Sequence, residues 1–184
     1  MDRATATLVA ALVAAAGSII SLFVKRASTM RKAHRDSLEP HIGELAKSIH
    51  QAVATSAIIV KTNSTQSRER WRARGTDTKE TLKALRTELR YSLWGLDKAI
   101  RELALLPDWV EHAWDYPEYR EELIERGDKL SDALDHSIRR CYAKGRTPSW
   151  FERAYVECRR RHLKSSYNEL QDVKAEDWQA KHPT

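Results

Sequence analysis

Three side chains, His136, Cys158 and His162, combine residue types that could hold a metal ion. Cys158 and His162 are four residues apart, so they share one face of a helix, and an antiparallel neighbour would bring His136 level with Cys158. Zinc accepts such ligands, with Cys141 available as a fourth. The spacing matches no standard zinc pattern, however, and buried cysteines with boundary histidines explain it more simply. We therefore predict no metal site and no cofactor.

Acid–base chemistry could come from Glu111, His112 and Asp115, which cluster around Trp114. A solvated turn accounts for this cluster without any catalytic role. The chain carries no glycine-rich phosphate loop, no G-x-S-x-G elbow and no H-E-x-x-H pair. We therefore predict that the protein is not an enzyme and has no small-molecule substrate.

Arginines alternate with other residues around Trp71 in residues 68–74, where Glu69 is the one acidic residue. Arginine grips phosphates and an aromatic ring stacks on a base, so this pattern could bind nucleic acid or another polyanion. A solvated basic loop, or Trp71 packed against the body, explains it without a ligand. Residues 139–164 are also basic, with nine Lys or Arg against two Glu. The candidate polyanion-binding residues are Arg68, Arg70, Trp71, Arg72, Arg74, Arg139, Arg140, Arg159, Arg160 and Arg161.

The overall charge gives this nucleic-acid hypothesis little support. The chain has 32 Lys or Arg and 26 Asp or Glu, a net charge of +6. Five basic residues without an acidic one lie in residues 25–35, which leaves about +1 for residues 36–184. Because the basicity is concentrated beside an apolar segment, it favours a membrane flank over a nucleic-acid surface.

That apolar segment, residues 4–24, has no charged side chain and would rise about 31 Å as a helix, enough to cross a bilayer. It predicts a transmembrane anchor. A cleaved signal peptide or a buried helix of a soluble protein are the alternatives, but the apolar run continues past the small residues that could serve as a cleavage site. Representative anchor residues are Ala4, Leu8, Leu12, Gly17, Ile20 and Val24.

Basic residues follow the anchor directly and predict its orientation. Such residues tend to stay on the cytoplasmic side, so we expect the N-terminus outside the plasma (inner) membrane and the body in the cytoplasm. The same side chains could contact anionic lipid headgroups. They are Lys25, Arg26, Arg31, Lys32 and Arg35.

Small residues recur along the anchor at intervals of four, which lets helix backbones approach closely in a bilayer. This face predicts self-association of the anchor, and an Ala-rich helix could show the same spacing by chance. The residues are Ala6, Ala10, Ala14, Gly17 and Ser21.

The rest of the chain favours helices, since Gly and Pro number only 6 and 5 and charged residues make up 32%. Apolar residues at intervals of three and four predict helices over residues 39–61, 78–106, 117–143 and 148–173. The leucine stripe of residues 82–106 is the strongest of these patterns, and Pro107 is expected to end that helix. The fold class is therefore all-α: a single N-terminal transmembrane helix followed by an antiparallel, up-down-up-down four-helix bundle.

The predicted organisation has four parts. An anchor occupies residues 1–24 and a basic juxtamembrane stalk residues 25–38. The bundle occupies residues 39–176, with a basic linker at 63–77, and a frayed tail occupies residues 177–184.

With four passes, the aromatic turn after Pro107 faces the membrane and the arginine clusters form a basic far end. The exposed aromatics Trp109, Trp114 and Tyr116 are the predicted partner-binding residues. The leading hypothesis is a non-enzymatic single-pass membrane protein whose bundle binds a protein partner or self-associates. The alternatives are a membrane tether for nucleic acid or another polyanion through the basic end, and an oligomeric membrane-active or pore-forming assembly.

Overall fold

The computed structural model describes residues 3–62 and 65–182, and it describes side chains from residue 17 onward, Thr65 excepted. This part of the chain is all-α, as predicted, and contains no strand. The predicted frayed tail is helical as far as Lys181. The helices are α1 (Arg3–Lys61), α2 (Thr65–Glu88), α3 (Asp97–Ala104), α4 (Leu106–His112), α5 (Pro117–Lys144) and α6 (Trp150–Lys181).

The first helix, α1, runs without interruption for 59 residues. The sequence predicts a stalk that ends at residue 38 and a new helix that starts near Pro40. In the structure Pro40 lies inside α1, where a proline removes one backbone hydrogen bond. Packing on both sides of it compensates, because Leu38 and Leu45 are fully buried. The predicted helix start near Pro40 is therefore wrong, whereas the division into stalk and bundle stays a prediction.

The predicted transmembrane helix, residues 4–24, falls within the first part of α1. The side chains of residues 4–16 lie outside the described residues. Within the part of the chain that the structure does describe, no helix is long and apolar enough to cross a membrane. The structure therefore supports the helical body, and the transmembrane helix stays a prediction that it does not support.

The predicted basic linker, residues 63–77, is helical from its third residue onward and forms the first half of α2. Contacts with α4 and the turn after it hold this segment. The guanidinium of Arg68 lies 3.7 Å from the centroid of the Trp114 ring, and Arg72 forms an ion pair with Glu111. Tertiary contacts of this kind override a weak local helix signal, so the linker assignment is wrong.

The leucine stripe lies in the core, and each of its members is at most 4% exposed: Leu82, Leu85, Leu89, Leu93, Leu96, Ile100, Leu103 and Leu106. It is not one helix, however. The chain leaves α2 after Glu88 and turns through residues 89–96, where Gly95 adopts a φ of 90°. Pro107 does not end a helix but lies in the first turn of α4. The prediction of a single helix is wrong because a turn that buries leucines at the same intervals leaves the same pattern in the sequence.

This turn gives the body five antiparallel passes instead of four, with α3 and α4 together forming the third pass. Successive contacts along each interface run in opposite directions in the two segments. The pairs are Ser37–Ser92 and Thr55–Gly75 for α1 with α2, Arg86–Asp97 and Lys79–Asp108 for α2 with the third pass, Arg35–Tyr142 and His50–Ser131 for α1 with α5, and Arg140–Glu152 and Arg126–His162 for α5 with α6.

The extra pass reverses the predicted ends of the body. We call the end where α1 enters the proximal end; it contains the turn 89–96 and the connection 145–149. The opposite end, with residues 113–116 and the last turns of α6, is the distal end. The aromatic turn after Pro107 is therefore distal and Arg139 is proximal, contrary to the expectation from four passes.

Close packing of α4 on α5 depends on a glycine. A Cβ atom at Gly127 would overlap the side chain of Leu106, which is fully buried. The sequence marks Gly127 only as a residue of low helix propensity inside α5. In the structure, its missing side chain lets the third pass approach α5.

We expect Gly127→Ala to lower the free energy of unfolding by about 1–3 kcal/mol, because overpacking against Leu106 outweighs the gain in helix propensity. Gly43→Ala is the matched control, since a Cβ there meets no atom within 4 Å; it should be neutral or stabilising. Urea unfolding followed by circular dichroism measures both. A Gly127→Ala protein as stable as the wild type would contradict this packing role.

Candidate functional surfaces

The part of α1 before residue 31, which we call the arm, extends beyond the body. Every described residue from 17 to 33 is exposed. Within residues 19–24 of the arm, all side chains except that of Ser21 are large and apolar: Ile19 (54% exposed), Ile20 (62%), Leu22 (68%), Phe23 (69%) and Val24 (62%). The arm thus presents an apolar helix surface that the described part of the body does not cover.

The predicted anchor and association residues all belong to the arm. Gly17, Ile20, Ser21 and Val24 are exposed there. The side chains of the remaining members lie outside the described residues: Ala4, Ala6, Leu8, Ala10, Leu12 and Ala14.

Basic side chains mark the base of the arm. Lys25, Arg26, Arg31 and Lys32 are exposed, as a role at lipid headgroups requires. Arg35 has an additional role within the chain. Its Nε donates to the carbonyl of Tyr142 at 3.2 Å and its Nη2 donates to that of Ala143 at 2.5 Å.

These carbonyls belong to the last turn of α5, where helical carbonyls lack partners along the helix. Arg35 therefore caps α5 while it attaches α1 to the body. Gly145 ends α5 in the left-handed conformation, with a φ of 59°, and a Cβ there would lie 2.6 Å from the carbonyl oxygen of Arg31. A glycine is required on both counts, and it lets α1 pass directly over the end of α5.

The start of α6 is fixed by Glu152, a buried carboxylate at the proximal end. Ser149 and Glu152 form a capping box, and Arg146 donates to both carboxylate oxygens at 2.8 and 2.9 Å. Burial raises the pKa of Glu152, but the hydrogen bonds from Arg146 and Ser149 outweigh it and hold the pKa at about 2. The carboxylate is therefore ionised and fully engaged at neutral pH.

Four exposed aromatic side chains lie at the proximal end, and the sequence analysis does not identify them as a surface. Tyr91 and Trp94 come from the turn 89–96, and Trp150 and Phe151 begin α6. Arg153 joins the two segments, because its guanidinium lies 4.4 Å from the Trp94 ring centroid. One sequence feature could have indicated this turn. Gly95 follows Trp94 and permits a turn, and Asp97 favours the start of a new helix.

The predicted partner-binding aromatics are at the distal end and are less exposed than their prediction requires. Trp109 is only 5% exposed and stacks on Tyr167 with a centroid distance of 4.4 Å. Trp114 and Tyr116 are half-buried. The hydroxyl of Tyr116 donates to Asp177 at 2.6 Å, which raises the pKa of Tyr116. Trp109 is thus a core residue, and only the other two reach the surface.

The predicted polyanion-binding residues do not form one surface. Residues 68–74 lie toward the distal end, whereas Arg139 and Arg140 lie toward the proximal end, roughly 30 Å away along α1. Several of these arginines are already paired inside the chain: Arg68 with the Trp114 ring, Arg72 with Glu111, Arg74 with the Trp71 ring, Arg139 with Asp135, Arg140 with Glu152, Arg159 with the Tyr155 ring, Arg160 with Glu102 and Glu157, and Arg161 with Glu157. Arg70 is exposed, and so are the paired arginines Arg72, Arg74, Arg139, Arg140 and Arg161.

The potentially reactive groups are dispersed. Cys141 is buried, and burial raises the pKa of its thiol to about 11, so it stays protonated at neutral pH. Cys158 is exposed and not paired with Cys141. Across residues 17–62 and 66–182, no group of three or more His, Cys, Asp or Glu side chains is arranged to hold a metal ion.

Comparison with known proteins gives no match to a family model, to a curated protein or to a solved structure.

We expect Glu152→Gln to lower the free energy of unfolding at pH 7 by about 2–3 kcal/mol, because the amide cannot replace the carboxylate opposite Arg146. The pKa of Glu152 in the folded protein, about 2, lies below the ordinary glutamate value of 4.5. The carboxylate therefore stabilises the fold above pH 4.5 and loses this effect as the pH falls toward 2. The difference between variant and wild type should shrink accordingly.

Urea unfolding at pH 7 and at pH 2.5 tests this pH dependence. Glu80→Gln is the control, since Glu80 is 59% exposed and pairs with Lys83 at 3.2 Å on the surface; it should change stability by less than about 1 kcal/mol. An equal loss of stability in Glu152→Gln at both pH values would contradict the role of its charge.

Proposed function

We propose that this chain is a non-enzymatic membrane tether, in which the arm anchors the protein in a bilayer and the helical body binds a protein partner. One observation supports this proposal above all others: α1 joins an exposed apolar arm and the packed core of the body in a single helix. In this proposal the body lies on the cytoplasmic side of an inner (plasma) membrane.

The exposed side chains of the arm favour an apolar environment. Burying one large aliphatic or aromatic side chain contributes about 1.5–3 kcal/mol. Five such side chains lie between residues 19 and 24, each at least 54% exposed. Their combined gain on burial is roughly 5–10 kcal/mol, since part of each is already covered. The hydrocarbon of a bilayer supplies this environment, and the apolar sequence continues toward residue 4.

The charges at the base of the arm agree with this arrangement. Lys25 and Arg26 follow Val24 directly, and Arg31 and Lys32 lie one to two turns further along α1. Basic side chains near an anionic membrane surface contribute about 1 kcal/mol each. An apolar helix that ends in such a cluster is typical of an anchor with a cytoplasmic body.

A protein partner would most readily meet the distal end, which points away from the arm. Trp114 and Tyr116 reach the surface there, and Trp178 is 63% exposed near the end of α6. Residues 108–128 carry eight acidic against two basic residues, so a basic partner surface would be complementary. The alternative of nucleic-acid binding is less well supported, because Arg68 and Arg72 are paired within the chain.

The anchor is tested with Leu12→Asp/Ile20→Asp in the full-length protein. A charge near the middle of a span costs about 2.5–3.5 kcal/mol and less toward its end, so the double variant should leave the membrane fraction. Trp178→Asp is the matched control: it introduces the same charge at an exposed apolar residue of the distal end and should stay with the membrane.

Alkaline carbonate extraction followed by flotation separates the outcomes, and circular dichroism confirms that each body is folded. Retention of the double variant at the wild-type level would contradict anchoring by the arm. Stoichiometric co-purification of a protein with the wild type supports the partner role, whereas a homogeneous oligomer that Ala10→Ile disrupts would replace it with self-association through the arm.

A further inference from the structure

The exposed large apolar side chains of the described body are concentrated at its proximal end. Tyr91 is 85% exposed, Trp94 60%, Trp150 67% and Phe151 76%. Tyr155, 49% exposed, lies one turn further along α6, and only Trp178 is at the distal end. Because exposing an aromatic ring to water is unfavourable, this concentration indicates a surface that contacts something less polar than water.

The two segments that carry these rings are held together by specific contacts. Arg153 of α6 lies over the Trp94 ring, and its aliphatic part occupies the space beside Gly95. The rings of Trp150 and Phe151 meet edge to face with a centroid distance of 5.0 Å. Trp94 and Trp150, more than fifty positions apart in the chain, therefore line one cleft at the proximal end, and we call the four exposed rings around it the aromatic patch.

The surroundings of this patch are basic. Arg90, Arg140, Lys144 and Arg153 lie in the turn 89–96 and around the connection 145–149. Several carboxylates at this end are neutralised within the chain: Glu152 is buried against Arg146, Asp97 lies 3.7 Å from Arg86, and Asp135 lies 2.7 Å from Arg139. The exposed carboxylates that remain include Asp36 and Glu39 on α1, Glu88 directly before the turn 89–96, and Asp132 beside Phe151. They are outnumbered by the exposed cations at this end, which include Arg90, Lys98, Arg140 and Lys144 beside Arg31, Lys32 and Arg35 of α1. Cations thus predominate around exposed tryptophans.

The position of the patch relative to the arm specifies the partner. α1 first contacts the body at Arg31, beside Gly145, seven residues after Val24. Seven residues of helix rise about 10 Å. The headgroup layer beyond the hydrocarbon is about 5–8 Å thick on each side. An arm anchored to Val24 therefore keeps the proximal end of the body on the membrane side, about 10 Å from the hydrocarbon at Arg31 and about 20 Å at Ser37, which contacts Ser92 of the turn 89–96. Tilt of the arm, which reaches up to about 40° in membrane helices, lowers the side of the body that carries the rings to the headgroups, where Trp and Tyr are enriched in membrane proteins.

We propose that the proximal end of the body is a second membrane contact, in which Trp94, Trp150 and Phe151 enter the headgroup region of an anionic bilayer. This proposal rests on the anchoring function proposed above. It fixes the body against the membrane surface and leaves the distal end free. The aromatic residues that face the membrane in this proposal are therefore not those of the turn after Pro107, which an arrangement with four passes would have placed at the proximal end.

Tryptophan fluorescence in the full-length protein tests this contact. The protein is reconstituted into vesicles whose phosphatidylcholine and phosphatidylglycerol carry bromine on the acyl chain close to the headgroup, which quenches nearby indoles. We expect the wild type to be quenched, and Trp94→Phe/Trp150→Phe to lose most of that quenching. Trp178→Phe is the matched control, with a similarly exposed ring at the distal end, and should keep it. Replacing phosphatidylglycerol by neutral lipid should weaken the quenching at least twofold.

Flotation of the same samples separates the two proposals. Protein that fails to float contradicts the anchor itself. Protein that floats, yet is quenched equally in the wild type and in Trp94→Phe/Trp150→Phe, overturns the second contact only. Quenching that disappears in Trp178→Phe would overturn it as well, because the distal end would then face the lipid. Thermal unfolding of each variant checks that the substitutions leave the fold intact.

Discussion

The attachment of α1 to the end of α5 is the constraint on which the arrangement of this molecule depends. Arg35 donates to the carbonyls of Tyr142 and Ala143 in the last turn of α5, and Gly145 lacks the side chain that would collide with the backbone of Arg31. The charged hydrogen bonds of Arg35 and the close backbone contact at Gly145 thus hold α1 to the same end of α5. Beyond it, Leu38 and Leu45 are fully buried, which carries α1 through Pro40 into the core. Without this attachment, the arm would have no defined direction relative to the body.

The helical content and the core can be read from the sequence, because burial at intervals of three and four residues leaves a clear pattern. The number of passes cannot. Residues 89–96 bury Leu89, Leu93 and Leu96 at the same intervals as a helix would, although the chain reverses there. One missed reversal changes the count from four to five and exchanges the two ends. The aromatic turn after Pro107 and the cluster around Arg139 then change ends, even though the identity of the core residues does not.

The candidate surfaces were predictable to the extent that they depend on local sequence. The apolar arm and its basic flank are contiguous, so composition alone identifies them. The proximal aromatic patch is not contiguous in the sequence: Trp94 and Trp150 line one cleft only because α6 packs beside the turn 89–96. Pairing within the fold is equally invisible in the sequence. The arginines around Trp71 look available to a polyanion, yet Arg72 is paired with Glu111 and Arg68 with Trp114.

The uninterrupted course of α1 has a mechanical consequence. From Arg31 to Lys61 the helix follows the body for about 45 Å, and the arm continues the same axis on the other side. Because both parts belong to one helix, a change in the direction of the arm rotates the body about the junction of α1 with α5. A change of 10° in the tilt of the arm would move the distal end sideways by about 8 Å, more than the width of a side chain. Such a displacement is large enough to make or break a contact at the distal end. In the anchoring proposed above, a change in bilayer thickness that tilts the arm would therefore be transmitted to a partner bound there.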